Sequence, residues 1–207
     1  MHASRRPLPK LLLVLATFGV SSLAGAELFV GSGAKAGEIT DRTAIVHVRL
    51  TATPGQDAQG LIPGRTGQAR LHTSTNASFG NATISPWADA RPDADWSIQF
   101  PLRNLQPATR HYYRVEYRAA AGTPAATSER HSFLTAPTAD QRVPVMFHVT
   151  TCQDTRGERT YRQMISQRPD FCVSAGDTVY YDGEGLARNV PQAWQAYQKM
   201  FGLPAMK

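Results

Sequence analysis

Two short apolar runs, each breaking off into side chains of metal-ligating type, constrain this chain more than any other feature. Residues 145–150 read Val-Met-Phe-His-Val-Thr and lead into Thr151, Cys152 and Gln153. Residues 171–175 read Phe-Cys-Val-Ser-Ala and lead into Gly176, Asp177, Thr178, Val179, Tyr180, Tyr181 and Asp182. Between them, residues 158–167 place Tyr161, Met164 and Ile165 at helical spacing, and Arg168-Pro169 closes the segment. Strand, helix, strand predicts a parallel crossover unit, because parallel neighbours cannot be joined by a tight turn. The apolar, β-branched character of residues 143–150 and 171–175 predicts strands buried on both faces. Residues 190–201 predict a further helix, with Pro191 in its first turn and Trp194, Tyr197, Gln198 and Phe201 on one side as core packing.

Upstream of Gln141 the pattern differs. Residues 44–50, 68–73, 96–100, 112–117 and 130–134 alternate apolar and polar side chains over short spans. Turn chemistry separates them at Thr53-Pro54-Gly55, Ile62-Pro63-Gly64 and Ala121-Gly122-Thr123-Pro124. Short strands at this spacing, with no helical period between them, predict an antiparallel sandwich over residues 27–137. The segment Leu105-Gln-Pro107-Ala-Thr109-Arg-His111 resembles the corner pattern Leu-x-Pro-x-Thr-x-Tyr of fibronectin type III domains, with His111 in the tyrosine position. His111 is expected as a structural donor at that corner, sharing one strand face with Tyr113 and Val115 while Tyr112 and Arg114 take the other. Residues 136–140 read as a short linker, and residues 141–207 as the beginning of an α/β domain.

The first 26 residues read as an export signal. Arg5, Arg6 and Lys10 make a basic start, residues 11–23 are apolar, and Ala24-Gly25-Ala26 fits a small-residue cleavage site. Ser4-Arg5-Arg6 with Lys10 also resembles a twin-arginine signal, although Pro9 stands where an apolar residue is usual. The expected location is periplasmic or secreted, in a bacterium, with the export machinery as a partner and no stable membrane span in the mature chain. Removal of the signal brings the formal charge of +6 down to +3, nineteen basic residues against sixteen acidic. No Lys/Arg block or aromatic-interleaved basic stripe stands out along the chain, so no nucleic-acid partner is evident. Of the two cysteines, Cys172 falls inside a strand and Cys152 beyond the end of another. That offset argues against a disulfide and for a buried, inert Cys172.

Cys152 and Asp177 follow two strand exits that lie roughly 4.8 Å apart if the strands are neighbours. Tyr180, three residues past Asp177, returns toward the same point if the turn is helical. Thiolate, carboxylate and phenolate together favour a highly charged transition metal. The run Val149-Thr-Thr-Cys152-Gln153, the intervening helix, Arg168-Pro-Asp170-Phe171 and Ala175-Gly-Asp177-Thr-Val-Tyr180-Tyr181 resemble the opening of the PhoD-type alkaline phosphatases, within the calcineurin-like metallophosphoesterases. Cys-Gln stands in place of the superfamily's Asp-x-His, and Gly-Asp-x-x-Tyr in place of Gly-Asp-x-x-Asp. The resemblance implies a fibronectin III-like sandwich followed by the start of an α/β metallophosphatase domain. It implies Cys152 and Tyr180 as ligands of ferric iron, and Asp177 as a bridge from iron to calcium. The implied activity is hydrolysis of phosphate monoesters and diesters. The family also requires an Asp-Asp-His motif and a further histidine block, and this chain has no histidine after His148. A truncated product, inactive alone, is therefore expected. The alternative is a non-enzymatic secreted binding module in which the sandwich does the work, with Trp87, Trp96, Tyr112 and Tyr113 as candidate contacts.

Overall fold

The computed structural model describes residues 27–153, 155–182 and 187–207; the expected export signal lies outside the described residues. Nine strands build the first part: β1 (Ala34–Gly37), β2 (Ala44–Arg49), β3 (Gly67–Ser74), β4 (Thr83–Ile84), β5 (Ala88–Ala90), β6 (Ser97–Leu102), β7 (Arg110–Arg118), β8 (Ala126–Thr127) and β9 (His131–Leu134). They form two antiparallel sheets. One runs β1-β2-β6; in the other β3 pairs β7 at the centre, with β4 and β5 on β3's far edge and β8 and β9 on that of β7. Alternation along β2 as far as Val48 and along β7 as far as Val115 produces this arrangement. Ala44, Val46 and Val48 are buried while Ile45 and His47 are only half-buried, and His111, Tyr113 and Val115 are buried while Tyr112 and Arg114 are not.

The buried sides face each other. Val46 and Val48 meet Leu71, Phe100, Val115 and Phe133 in one core. Each fully buried side chain of this size contributes about 1.5–3 kcal/mol. The Tyr113 hydroxyl crosses the gap and donates to the Ala34 carbonyl at 3.0 Å, so the aromatic that fills the core also ties one sheet to the other. At the corner before β7, His111 is 5% exposed and stacks on Phe133 with ring centroids 5.4 Å apart. Its Nε2 lies 3.4 Å from the Gln106 carbonyl, a long contact, and the Thr135 hydroxyl donates to the same oxygen at 2.6 Å. Threonine thus supplies the short bond at a corner where imidazole reaches less far than a phenol.

From Gln141 the chain continues as β10 (Phe147–Thr150), α1 (Glu158–Ser166), β11 (Phe171–Ser174) and α2 (Val190–Phe201). β10 and β11 pair in parallel, with His148 opposite Cys172 and Thr150 opposite Ser174. Two expectations are corrected here. The first strand begins only at Phe147, and neither strand is buried on both faces: all four residues of β11 are exposed, and Phe147 and Val149 are 53% and 57% exposed. Two strands and one helix offer too little surface to cover both faces of a sheet. Phe147 and Phe171 therefore stack on each other, 5.4 Å apart, on the open side. For the same reason Cys172 is exposed rather than buried; both cysteines are free thiols.

α2 begins where Asn189 accepts the Gln192 N–H on its side-chain oxygen, an N-cap before Pro191 in the first turn. Its aromatic side is not a closed core. Met200 is buried, Trp194 and Phe201 are half-buried, and Tyr197 is 43% exposed. The helix lies along the β1-β2-β6 sheet, where the Gln198 amide donates to Asp95 Oδ1 at 3.3 Å and the Lys35 ammonium sits 5.8 Å from the Phe201 ring. Among the described residues no helix is long and apolar enough to cross a membrane.

Candidate metal centre

The parallel register sets the site. Thr150 and Ser174 are the last paired residues of β10 and β11, and the Ala175 N–H still donates to the Thr150 carbonyl at 2.7 Å. Beyond that point the two strand exits turn toward each other and are held by a further backbone bond, Gln153 N–H to the Asp177 carbonyl at 2.8 Å. Cys152 and Asp177 both adopt left-handed backbone, with φ of 51° and 48°, and Gly176 between strand and carboxylate has φ 115°. Left-handed backbone at residues with a Cβ costs on the order of 1 kcal/mol or more and persists where the surroundings over-determine it.

The result is a cluster of donors. The Cys152 thiol donates to Asp177 Oδ2 with sulfur and oxygen 3.5 Å apart. The Tyr180 hydroxyl joins both: its hydrogen bond with Cys152, partial loss of water, and the neighbouring charges of Cys152 and Asp177 push the phenol up to about 12. Three groups that become anionic on ionisation thus crowd one exposed spot. Such an arrangement favours either retained protons or a cation that displaces them. Among the described residues no group of three or more His, Cys, Asp and Glu side chains converges; the third donor here is a phenol.

Other residues shape the cluster from behind. Gln153 is 7% exposed, and its amide donates to Thr150 Oγ1 and Ser174 Oγ, each at 2.7 Å. Ser174 Oγ in turn meets Thr178 Oγ1 at 2.5 Å. This chain of hydroxyls and amide locks the two exits, a role that only its position directly after Cys152 signals in the sequence. Tyr181 diverges from its neighbour: it turns to α2, where a hydrogen bond with Tyr197 pushes its phenol up to about 12. Asp182 is exposed, and Asp154 lies outside the described residues.

A β-sandwich of a three-stranded and a six-stranded sheet, followed by a parallel strand–helix–strand, defines a two-part protein with its candidate site in the second part. The PhoD-like phosphatase N-terminal domain family matches residues 21–137, more than half of the chain, and the protein belongs to that family. The solved structure of PhoD superposes over 86% of this chain with a TM-score of 0.68 at 16% identity, so the two share a fold. The chain spans 36% of the length of that structure. The sensor domain of the anti-sigma factor RsgI4 of Pseudobacteroides cellulosolvens aligns at 18% identity and a TM-score of 0.37, covering 58% of this chain and 91% of that one. The third fibronectin III domain of human KIAA0343 protein aligns at 14% and 0.32, covering 62% of this chain and 100% of that one. No curated protein matches the chain.

Proposed function

We propose that this chain is the sandwich and first metal-binding segment of an exported, metal-dependent phosphatase or phosphodiesterase. Residues 27–137 form its pre-domain and residues 141–207 open its α/β catalytic domain. One observation carries the reading: at the paired exits of β10 and β11 the Cys152 thiol donates to the Asp177 carboxylate, with the Tyr180 phenol raised by both neighbours. That donor set fits ferric iron, which takes thiolate and phenolate oxygen together. The Asp177 carboxylate would also hold calcium, which takes oxygen ligands. Iron and calcium bound there would supply positive charge to offset that of a phosphate ester in its transition state. The chain's own contribution is positional: Gln153, Ser174 and Thr178 hold the two exits, and the left-handed backbone at Cys152 and Asp177 aims both side chains at one point. Arg5 and Arg6 in the export signal direct the product to the periplasm or beyond.

Three donors do not hold two metals, so the 207-residue chain is expected to show no turnover of a chromogenic phosphate ester when iron and calcium are supplied. The test that does not depend on turnover is ferric iron binding. Phenolate bound to ferric iron produces a visible charge-transfer band; the wild-type chain is expected to develop it, Tyr180→Phe to lose it, and Cys152→Ser or Asp177→Asn to weaken iron binding at least about tenfold. Equal iron uptake by a chain lacking all three side chains would sink the proposal.

A further inference from the structure

The outer face of the larger sheet gathers arginines that the sequence scatters. Alternation along β7 turns Arg110, Tyr112, Arg114, Glu116 and Arg118 away from the core, and along β3 it does the same for Gln68, Arg70 and His72. The register sets Arg118 opposite Gln68, Glu116 opposite Arg70 and Arg114 opposite His72. Aromatic rings lie against these cations. The Arg70 and Arg118 guanidiniums stand 4.6 and 3.9 Å from the Trp87 ring centre, Arg114 stands 4.4 Å from Phe79, and Arg130 stands 5.5 Å from Tyr112. Beside His72, the basic side chains gathered on this face are arginines.

Few of the guanidinium donors are used within the protein. Arg118 uses Nε on Gln68 at 2.9 Å, Arg130 uses one N–H on the Ala77 carbonyl at 2.9 Å, and Arg110 one on Ser132 at 3.2 Å, out of five carried by each. Arg114 Nε is shut off from solvent with no hydrogen-bond partner. The carboxylates nearby are Glu116, engaged by both Arg70 and His72 at 2.7 Å, Asp89, held by the Gln68 amide, and Glu129 beside Arg130 in the chain. Arg110, Arg114 and Arg118 repeat every four residues, so they form a ladder with rungs roughly 13 Å apart on one strand.

We propose that this face binds an extended, flexible chain of phosphodiesters, gripped by its backbone rather than by any attached group. A guanidinium presents paired N–H donors that match two oxygens of one phosphate, and one already flattened on an aromatic ring loses little freedom on binding. A ladder of such groups along a strand suits a linear polymer better than a single small anion. The proposal stands on the sandwich alone and does not depend on the metal reading.

The probe is a labelled single-stranded oligothymidylate, followed by fluorescence anisotropy with the full chain at several salt concentrations. Binding should weaken with salt, and the logarithmic slope should fall by about 0.7 for each arginine removed. Arg114→Gln combined with Arg118→Gln should weaken binding at least about tenfold, while Arg42→Gln, on the loop before β2, should leave it unchanged. Because Arg118 packs on Trp87, the exposed Arg130→Gln is measured as well, with circular dichroism as the check on folding; it should weaken binding about threefold. No binding at low salt, or binding indifferent to Arg114, Arg118 and Arg130, overturns the proposal. So does a sulfated glycan that binds more tightly than the oligonucleotide through the same arginines, since the partner would then be an acidic polysaccharide.

Discussion

Arg49 and Asp95 form the most enclosed ion pair among the described residues, with side chains 5% and 13% exposed. The guanidinium donates from Nε and Nη2 to the two Asp95 carboxylate oxygens at 2.9 and 2.8 Å, and from Nη1 to the Ile62 carbonyl at 2.6 Å. Asp95 reaches it from left-handed backbone at the end of a short 3-10 turn. Removing one partner strands a charge out of water, so Asp95→Ala should cost about 3–5 kcal/mol in urea denaturation. Combining it with Arg49→Met should recover much of that loss. Nothing in the sequence announces this pair, because its members are 46 residues apart and each alone reads as a surface charge. His111 is the opposite case: the spacing from Leu105 through Pro107 and Thr109 placed it at a corner, where it is buried against Phe133. The bond it makes was beyond reach of the sequence, since ring length and the competing Thr135 hydroxyl decide it.

At the scale of elements, alternation carries the information. Leu71 on β3 is 1% exposed, lies beside its β7 partner Val115 and packs in the same core as Val46 of the other sheet. Leu71→Ala should therefore lower stability by about 2–5 kcal/mol, read as a shift in urea midpoint at unchanged slope. Phe147 on β10 is 53% exposed, and Phe147→Ala should cost far less despite the larger side chain removed. Composition alone ranks these two the wrong way round. The runs at 145–150 and 171–175 announced strands, and their parallel pairing follows from the helix between them. Their burial did not follow, because it depends on how many layers surround the sheet. The short β4, β5 and β8, of two or three residues each, carried no period long enough to read; pairing with β3 and β7 alone makes them strands.

The whole molecule is joined along a seam where α2 meets the β1-β2-β6 sheet. Lys35 sits in it, donating to the Ser32 carbonyl and facing the Phe201 ring. Burial, reinforced by the nearby charge of Lys207, pushes the Lys35 ammonium down to about 8 from its ordinary value. Its burial therefore costs stability in full below pH 8. As pH rises from 8 toward 10, the folded state releases this proton while the unfolded chain keeps it, so the cost fades and stability rises. The difference in unfolding free energy between wild type and Lys35→Met should accordingly shift in favour of wild type across that window, measured by denaturant titration at each pH; a difference independent of pH would remove Lys35 from the account.

The alternating strands of the sandwich, the corner at His111 and the parallel crossover follow from local pattern and spacing, because backbone periodicity and turn chemistry act over a few residues at a time; the singling out of residues 152, 177 and 180 came from a family resemblance. The meeting of Cys152 with Asp177, the Arg49–Asp95 pair, the arginine ladder on the outer sheet face and the open side of β10 and β11 depend on register and on which layers pack together. Those are properties of contacts between distant segments, and only the folded chain decides them.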